Sequence, residues 1–270
     1  MTNSLRIATW NINSVRARID QLKQFLSEFQ PDVCCLQEIK CQTEQFPHKA
    51  LKGMGYDHHA IHGQKAYHGV AILSRLPVVR DHRTDYCQMG DARHVAAEVQ
   101  AGGKSVLVHN YYVPAGGDEP DPARNPKFDH KLNFLDEMTA EFQSSPPQQA
   151  TVLVGDLNIA PLESDVWSHK DLVKVVSHTP VEVDRLDKVQ RSGAWVDLVR
   201  HHFGMDEKLY SWWSYRARDW RASNKGRRLD HIWGSSHVRD WLSDVTIADE
   251  VRGWEKASDH APIIASFDLR

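Results

Sequence analysis

Cysteine is scarce in this chain. Only four occur in 270 residues, two of them adjacent (Cys34, Cys35) and none in a C-x-x-C spacing, so the cysteines build neither a disulfide framework nor a zinc site. A reducing cytosol is the simplest home for such a composition. Long apolar runs are missing as well: nothing approaches the roughly 18 residues of a membrane span, and Met1 to Arg6 shows no charged-then-apolar signal pattern. Secretion and membrane insertion are not expected. Charge of one sign is not in excess either. With a net formal charge of −3, nucleic-acid binding is not a property of the whole surface and would have to be local. No internal repeat, low-complexity tract or long linker divides the sequence, so residues 1–270 read as one domain, and nothing calls for more than a monomer.

What the chain has in quantity is core material: 41% hydrophobic residues, including nine Trp, seven Tyr and eight Phe, are ample for a sizeable interior. The organising stretch is Thr151-Val152-Leu153-Val154-Gly155-Asp156-Leu157-Asn158. It reads as a strand buried on both faces that ends where Gly155 loosens the backbone, delivering Asp156 and Asn158 at its end. In an α/β sheet that end is where polar side chains converge on ligands.

Other segments repeat this design. Residues 5–10 form a first strand, after which Asn11-Ile12-Asn13-Ser14 supplies helix-capping side chains; apolar residues at helical spacing from Ile19 to Phe29 predict a helix that Pro31 ends. A short strand over 32–36 then delivers Gln37-Glu38. Further strands are read at 56–62 and 69–73, with a hairpin of 95–99 and 105–108 around Gly102-Gly103 that runs on into Asn110-Tyr111-Tyr112-Val113-Pro114. A helix spans 128–142. Residues 159–194 are the least periodic and read as loop with a helix near 182–191. Leu229-Asp230-His231 and Ser258-Asp259-His260 are two more polar strand ends, and 263–267 is a last strand. Many strands with few helices in mixed order suggest an α/β fold of two packed sheets with helices outside.

Glu38, Asp156, Asp230 and Asp259 thus stand at strand ends beside the amides of Asn11, Asn13 and Asn158 and the imidazole of His260. Hard oxygen donors of this kind suit Mg²⁺ or Mn²⁺, and the lack of Cys or close His pairs among them argues against zinc. Magnesium points to phosphate chemistry, and Asp230 or Asp259 could orient His260. The stretch 209–228 interleaves Tyr210, Trp212, Trp213, Tyr215 and Trp220 with arginines and a lysine, the mixture that a nucleic-acid strand stacks on.

These motifs, in this order, resemble the exonuclease III family of apurinic/apyrimidinic endonucleases, within the endonuclease/exonuclease/phosphatase superfamily. The resemblance covers essentially the whole chain. It is carried by Thr9-Trp10-Asn11-Ile12-Asn13 with Arg16, Leu36-Gln37-Glu38-Ile39-Lys40, Gly69-Val70-Ala71-Ile72-Leu73, Asn110-Tyr111-Tyr112-Val113-Pro114 and Gly155-Asp156-Leu157-Asn158. It continues through Ser211-Trp212-Trp213-Ser214-Tyr215-Arg216, Arg228-Leu229-Asp230-His231 and Ser258-Asp259-His260-Ala261-Pro262. Ser14, Ser214 and Ala257 depart from the family's pattern without removing a catalytic group.

The resemblance implies a four-layer α/β sandwich, two packed mixed sheets flanked by helices, that opens at one end into a Mg²⁺ site. Glu38 would be the principal ligand, with Asn11, Asn13, Asp156, Asn158, Asp259 and His260 around the metal and its phosphate. Asp156 would activate water, Asn158 hold the phosphate, and His260, oriented by Asp230, stabilise the transition state. Tyr112, rather than Tyr111, would be the catalytic tyrosine because it stands two before Pro114. Arg93, Trp212, Tyr215, Arg216 and Arg228 would face DNA. The implied substrate is double-stranded DNA with abasic sites or 3′ ends. The alternatives are a 3′-end specialist, a relative acting on RNA or a small phosphoester, and a DNA-binding module without catalysis.

Overall fold

The structure is a computed structural model and describes residues 3–269; Met1 and Thr2, part of the N-terminal stretch read above, lie outside them, as does Arg270. The first sheet joins Ser4–Asn11 (β1), Val33–Gln37 (β2), His58–His62 (β3) and Val70–Ser74 (β4) to two C-terminal strands. The second contains Val78–His82 (β5), His94–Ala101 (β6), Lys104–Tyr112 (β7), Thr151–Asp156 (β8) and the short Val196–Asp197 (β9). After a small two-stranded ribbon of Trp212–Trp213 (β10) and Gly226–Arg227 (β11), Asp230–Gly234 (β12) returns to the second sheet, and Leu242–Ile247 (β13) and Ile263–Asp268 (β14) complete the first.

Each large sheet has six strands, ordered β13-β14-β1-β2-β4-β3 and β5-β6-β7-β8-β12-β9. Both have one parallel pair, β1 with β2 and β7 with β8, and are otherwise antiparallel. The sheets pack face to face through alternate residues such as Ile7, Val33, Cys35 and Ile72 of the first and Val95, Val99, Val108, Val152 and Val154 of the second. On the outer face of the first sheet lies the helix Ile19–Phe29, which buries Leu22, Phe25 and Leu26. The helices Pro126–Ser144 and Pro180–Ser192 cover the second. This is the expected sandwich.

The elements agree in type with the local pattern and differ in detail. Asn11 and Asn13 do not cap the first helix: its N-cap is Arg18, without a side-chain cap, because the two amides turn into the site instead. Gly155 does not end its strand but lies inside it, at φ +145°, where an added Cβ would stand 1.9 Å from the carbonyl oxygen of Tyr111. Its role is close approach to β7. Asp230 opens β12 rather than ending a strand. Since β12 runs antiparallel to β8, its start lies at the end of β8, with Asp230 opposite Asp156. Two of the longer strands, β5 and β13, have no counterpart in the sequence pattern; both lie at a sheet edge, β5 without a buried residue and β13 with Val245 alone buried.

Candidate active site

The two parallel pairs end at the same place, and that is where the polar residues meet. Asn11 ends β1, Glu38 follows β2, Tyr112 ends β7 and Asp156 ends β8. Residues 258–260 lead into β14, the antiparallel neighbour of β1. They are pinned there by Ser258 Oγ donating to the Asn11 carbonyl at 2.6 Å and the Trp10 indole N–H donating to the His260 carbonyl at 3.1 Å. The chain thus brings residues nearly 250 positions apart to one rim by strand pairing alone.

At the centre, Asn11 Nδ2 donates to Glu38 Oε1 at 2.9 Å and to Asp156 Oδ2 at 2.8 Å. His260 lies between two carboxylates, Nδ1 at 2.8 Å from Asp230 Oδ2 and Nε2 at 3.7 Å from Asp156 Oδ2. Burial works against the charged imidazole, but Asp230 and then Asp156 outweigh it and push its pKa up to about 10. Burial pushes the Asp156 carboxyl above its ordinary range, up to about 7, against the pull of His260. Burial would also raise Glu38; the Lys40 ammonium and the Asn11 amide outweigh it and hold this carboxyl below its ordinary range. Asp259 takes the Asn13 amide at 3.2 Å and the Trp212 indole N–H at 2.9 Å. Asn158 donates to the Val113 carbonyl, and its backbone N–H caps Asp156 Oδ1 at 2.9 Å.

Several of these residues sit in the left-handed backbone region: Asn13 at φ +48°, Ser14 at +89°, Glu38 at +50° and Asn158 at +54°. Such conformations cost on the order of 1–3 kcal/mol each and cluster where geometry is held for function. The donors fit a hard divalent cation. Lys40 Nζ stands in for one, 2.8 Å from Glu38 Oε2 and 2.5 Å from Asn13 Oδ1. Asp230 Oδ1 is buried with no hydrogen-bond partner among the described residues, and Asp156, Asp230 and His260 bring potential ligand atoms within 4.8 Å of one another.

Over this cluster opens a cavity of about 610 Å³. Glu38, Tyr112, Asp156, Asn158, Asp259 and His260 form its floor; Trp212, Trp167, Arg227, Lys225 and Arg216 are among its walls. Arg227 lies 5.3 Å over the Trp212 ring and Lys225 4.5 Å over that of Trp167, so cation and aromatic are paired along the wall. Tyr112, not Tyr111, faces the cavity. Tyr111 points outward and shares a hydrogen bond with Tyr86.

Other expectations are corrected. Arg228 cannot meet DNA: it is fully buried, its Nε on Asp165 Oδ1 at 2.5 Å and its Nη1 on Asp197 Oδ2 at 2.9 Å. A buried cation needs such partners, and these satisfy it. Arg93 is also buried; it bonds Asp91 and the Tyr112 carbonyl and lies 5.0 Å over the Tyr112 ring, so it supports the tyrosine from below. Tyr215 is half exposed but off the cavity wall, its hydroxyl donating to the Ala257 carbonyl and accepting from Arg18. Gln37 turns inward to Thr9 and Asn110. Lys40 and Arg227 join the site from stretches singled out above, a family motif and the 209–228 segment, where neither was given a role of its own, and Trp167 carries no sequence signal at all.

A comparison with protein families matches the Endonuclease/Exonuclease/phosphatase family over residues 8–260. Exodeoxyribonuclease III of Haemophilus influenzae is 30% identical across 97% of this chain and 100% of its own length. Among solved structures, an AP endonuclease from Archaeoglobus fulgidus superposes with a TM-score of 0.89 at 30% identity, covering 98% of this chain and 99% of that one. The 3′-5′ exonuclease NExo from Neisseria meningitidis gives 0.88 at 32% identity, covering 98% and 100%.

Proposed function

The chain belongs to the Endonuclease/Exonuclease/phosphatase family, and we propose that it is a Mg²⁺-dependent DNA-repair phosphodiesterase on double-stranded DNA. It would cut 5′ to abasic sites and remove nucleotides or phosphate from 3′ ends. The observation that carries this reading is the acid, amide and imidazole cluster beneath a cavity walled by aromatic rings paired with cations. The related structures bear the names of an AP endonuclease and a 3′-5′ exonuclease, which is the same division of activities on one scaffold.

Glu38, Asn11, Asn13, Asp156 and Asp259 would hold the metal, which when bound supplies charge against a phosphodiester oxygen and the departing alkoxide. Mn²⁺ suits the same donors. Asp156 would take the proton of the attacking water; it lies at the floor of the cavity, 3.7 Å from the His260 ring. His260 would bear the phosphate's developing negative charge as a protonated donor, with Asp230 fixing its ring. Asn158 and Tyr112 would offer further donors to the phosphate, Trp212 would line the pocket for the extrahelical sugar, and Arg216 would meet the backbone at the rim. A small-phosphoester substrate is the weaker reading, since two cation–ring pairs stand in the cavity wall beside the acidic cluster.

The test uses two labelled duplexes, one with a central abasic analogue and one with a 3′-phosphate. The expected outcome is Mg²⁺-dependent, chelator-sensitive incision of the first and dephosphorylation of the second. Dephosphorylation alone would make the protein a 3′-end specialist. No change in either would overturn the DNA assignment.

A further inference from the structure

A second cluster of potential ligands lies on the outer face of the second sheet. Strand register puts it there. His82 of β5 is opposite Ala96 of β6, and Ala96 is opposite His109 of β7. Val95, Ala97 and Val99 point into the inter-sheet core, so His94 and Ala96 point outward, on the same face as His82 and His109. The small Ala96 leaves room between the two flanking rings, and His94 stands two residues along. The three rings lie 5.3–5.7 Å apart, and a nitrogen from each lies within 4.8 Å of the others.

We propose that His82, His94 and His109 form a second metal site, for a zinc-class divalent cation, separate from the catalytic cluster. Three imidazoles with no carboxylate among them suit Zn²⁺, Cu²⁺, Ni²⁺ or Co²⁺, not the Mg²⁺ of the active site. His94 Nε2 and His109 Nδ1 are 3.1 Å apart. Two nitrogens bound tetrahedrally to zinc, at about 2.0–2.1 Å from it, stand about 3.3 Å apart, so the spacing of this pair suits a common ion once the rings turn their nitrogens toward it. The exposed His82 has to close the rest. A cavity of about 290 Å³ reaches His82 and His109 from solvent, leaving an open position for water. His94 and His109 are both buried, which shields the inner part of the cluster from solvent.

The competing reading is a chain of hydrogen-bonded histidines: Thr84 N–H donates to His94 Nδ1 at 3.2 Å, and His94 and His109 share a proton. That reading accounts for His94 and His109 but gives His82 no hydrogen-bond partner among the described residues. Coordination through His94 Nε2 moves its proton to Nδ1, with none released, and gives up the long Thr84 bond, which belongs to the loop after β5. The metal would clip the edge strand β5 to β6 and β7, where the β5 pairing already contains an irregularity between Val78 and Arg80.

Co²⁺ is the probe. Chelator-stripped protein in excess Mg²⁺ should bind one equivalent with the visible bands of a four-coordinate, nitrogen-ligated ion, displaced by Zn²⁺. His82→Ala, at an exposed position, should fold normally, lose the bands and bind Zn²⁺ at least tenfold more weakly; His109→Gln should do the same, and Glu38→Ala should keep them. Absence of the bands from the native protein, their persistence in His82→Ala, or their loss in Glu38→Ala would each overturn the proposal.

Discussion

The proposed chemistry turns on one side chain, Asp156. It is buried, receives the Asn11 amide and the Asn158 backbone N–H, and stands 3.7 Å from an imidazole that Asp230 holds from the other side. Asn in its place keeps the size and one acceptor but has no proton affinity to offer water. Asp156→Asn should therefore lower kcat by orders of magnitude while DNA affinity, measured by fluorescence anisotropy, changes by less than about tenfold, because the loss belongs to the chemical step. Equal rates for the two proteins would remove Asp156 from the role of base.

Elements are held in place by charges buried between them. Lys131, inside the helix Pro126–Ser144, and Glu182, in the first turn of Pro180–Ser192, are both fully buried and paired with each other. Lys131 also donates to the Asn158 carbonyl at 2.8 Å, while Glu182 accepts from the backbone N–H of Ser177 and from Thr179. One ion pair therefore ties two helices to two walls of the catalytic cavity. Removing one partner leaves the other charge stranded, so Glu182→Gln should cost about 3–5 kcal/mol of unfolding free energy. The double variant Lys131→Met with Glu182→Gln should cost less than the sum of the single ones in urea denaturation. Additive losses would mean that the pairing itself contributes nothing.

Across the whole molecule the same logic sets the acid limit. Asp165, Asp197, Arg200 and Arg228 form a buried network between the segment after β8, β9, the helix Leu198–Phe203 and the entry to β12. Burial opposes ionisation of Asp165 and Asp197, but the guanidiniums win and hold both carboxyls below their ordinary range. In the unfolded chain these groups take up protons near pH ~3.9. Folded they resist, so their contribution is fully present above about pH 4 and is lost as pH falls through the lower folded values. Unfolding free energy measured from about pH 5 to about pH 2.5 should drop, and Asp197→Asn should flatten that slope while lowering stability at neutral pH. Parallel slopes in the two proteins would show that Asp197 titrates alike in both states.

Much of this was written in local sequence. The buried strands were legible because runs such as Thr151–Val154 have no polar break, and the helix from Ile19 was legible because its apolar residues recur at helical spacing until Pro31. The polar residues at strand ends followed from those boundaries, and with them the family and the candidate site residues. The edge strands β5 and β13 were not legible, since exposed edges lack the hydrophobic contrast that marks a central strand. Nor could sequence separate Arg228, which serves the buried network, from Arg227, one residue away and over Trp212, because direction across a strand decides between them. Cysteine spacing speaks only to a zinc site built from cysteines. Whether histidines from three different strands share one face is settled by register, and a one-residue slip would part them. Local pattern and composition thus determined the elements and the chemistry carried at their ends; strand pairing alone decided which charges are buried together and which are left to meet a ligand.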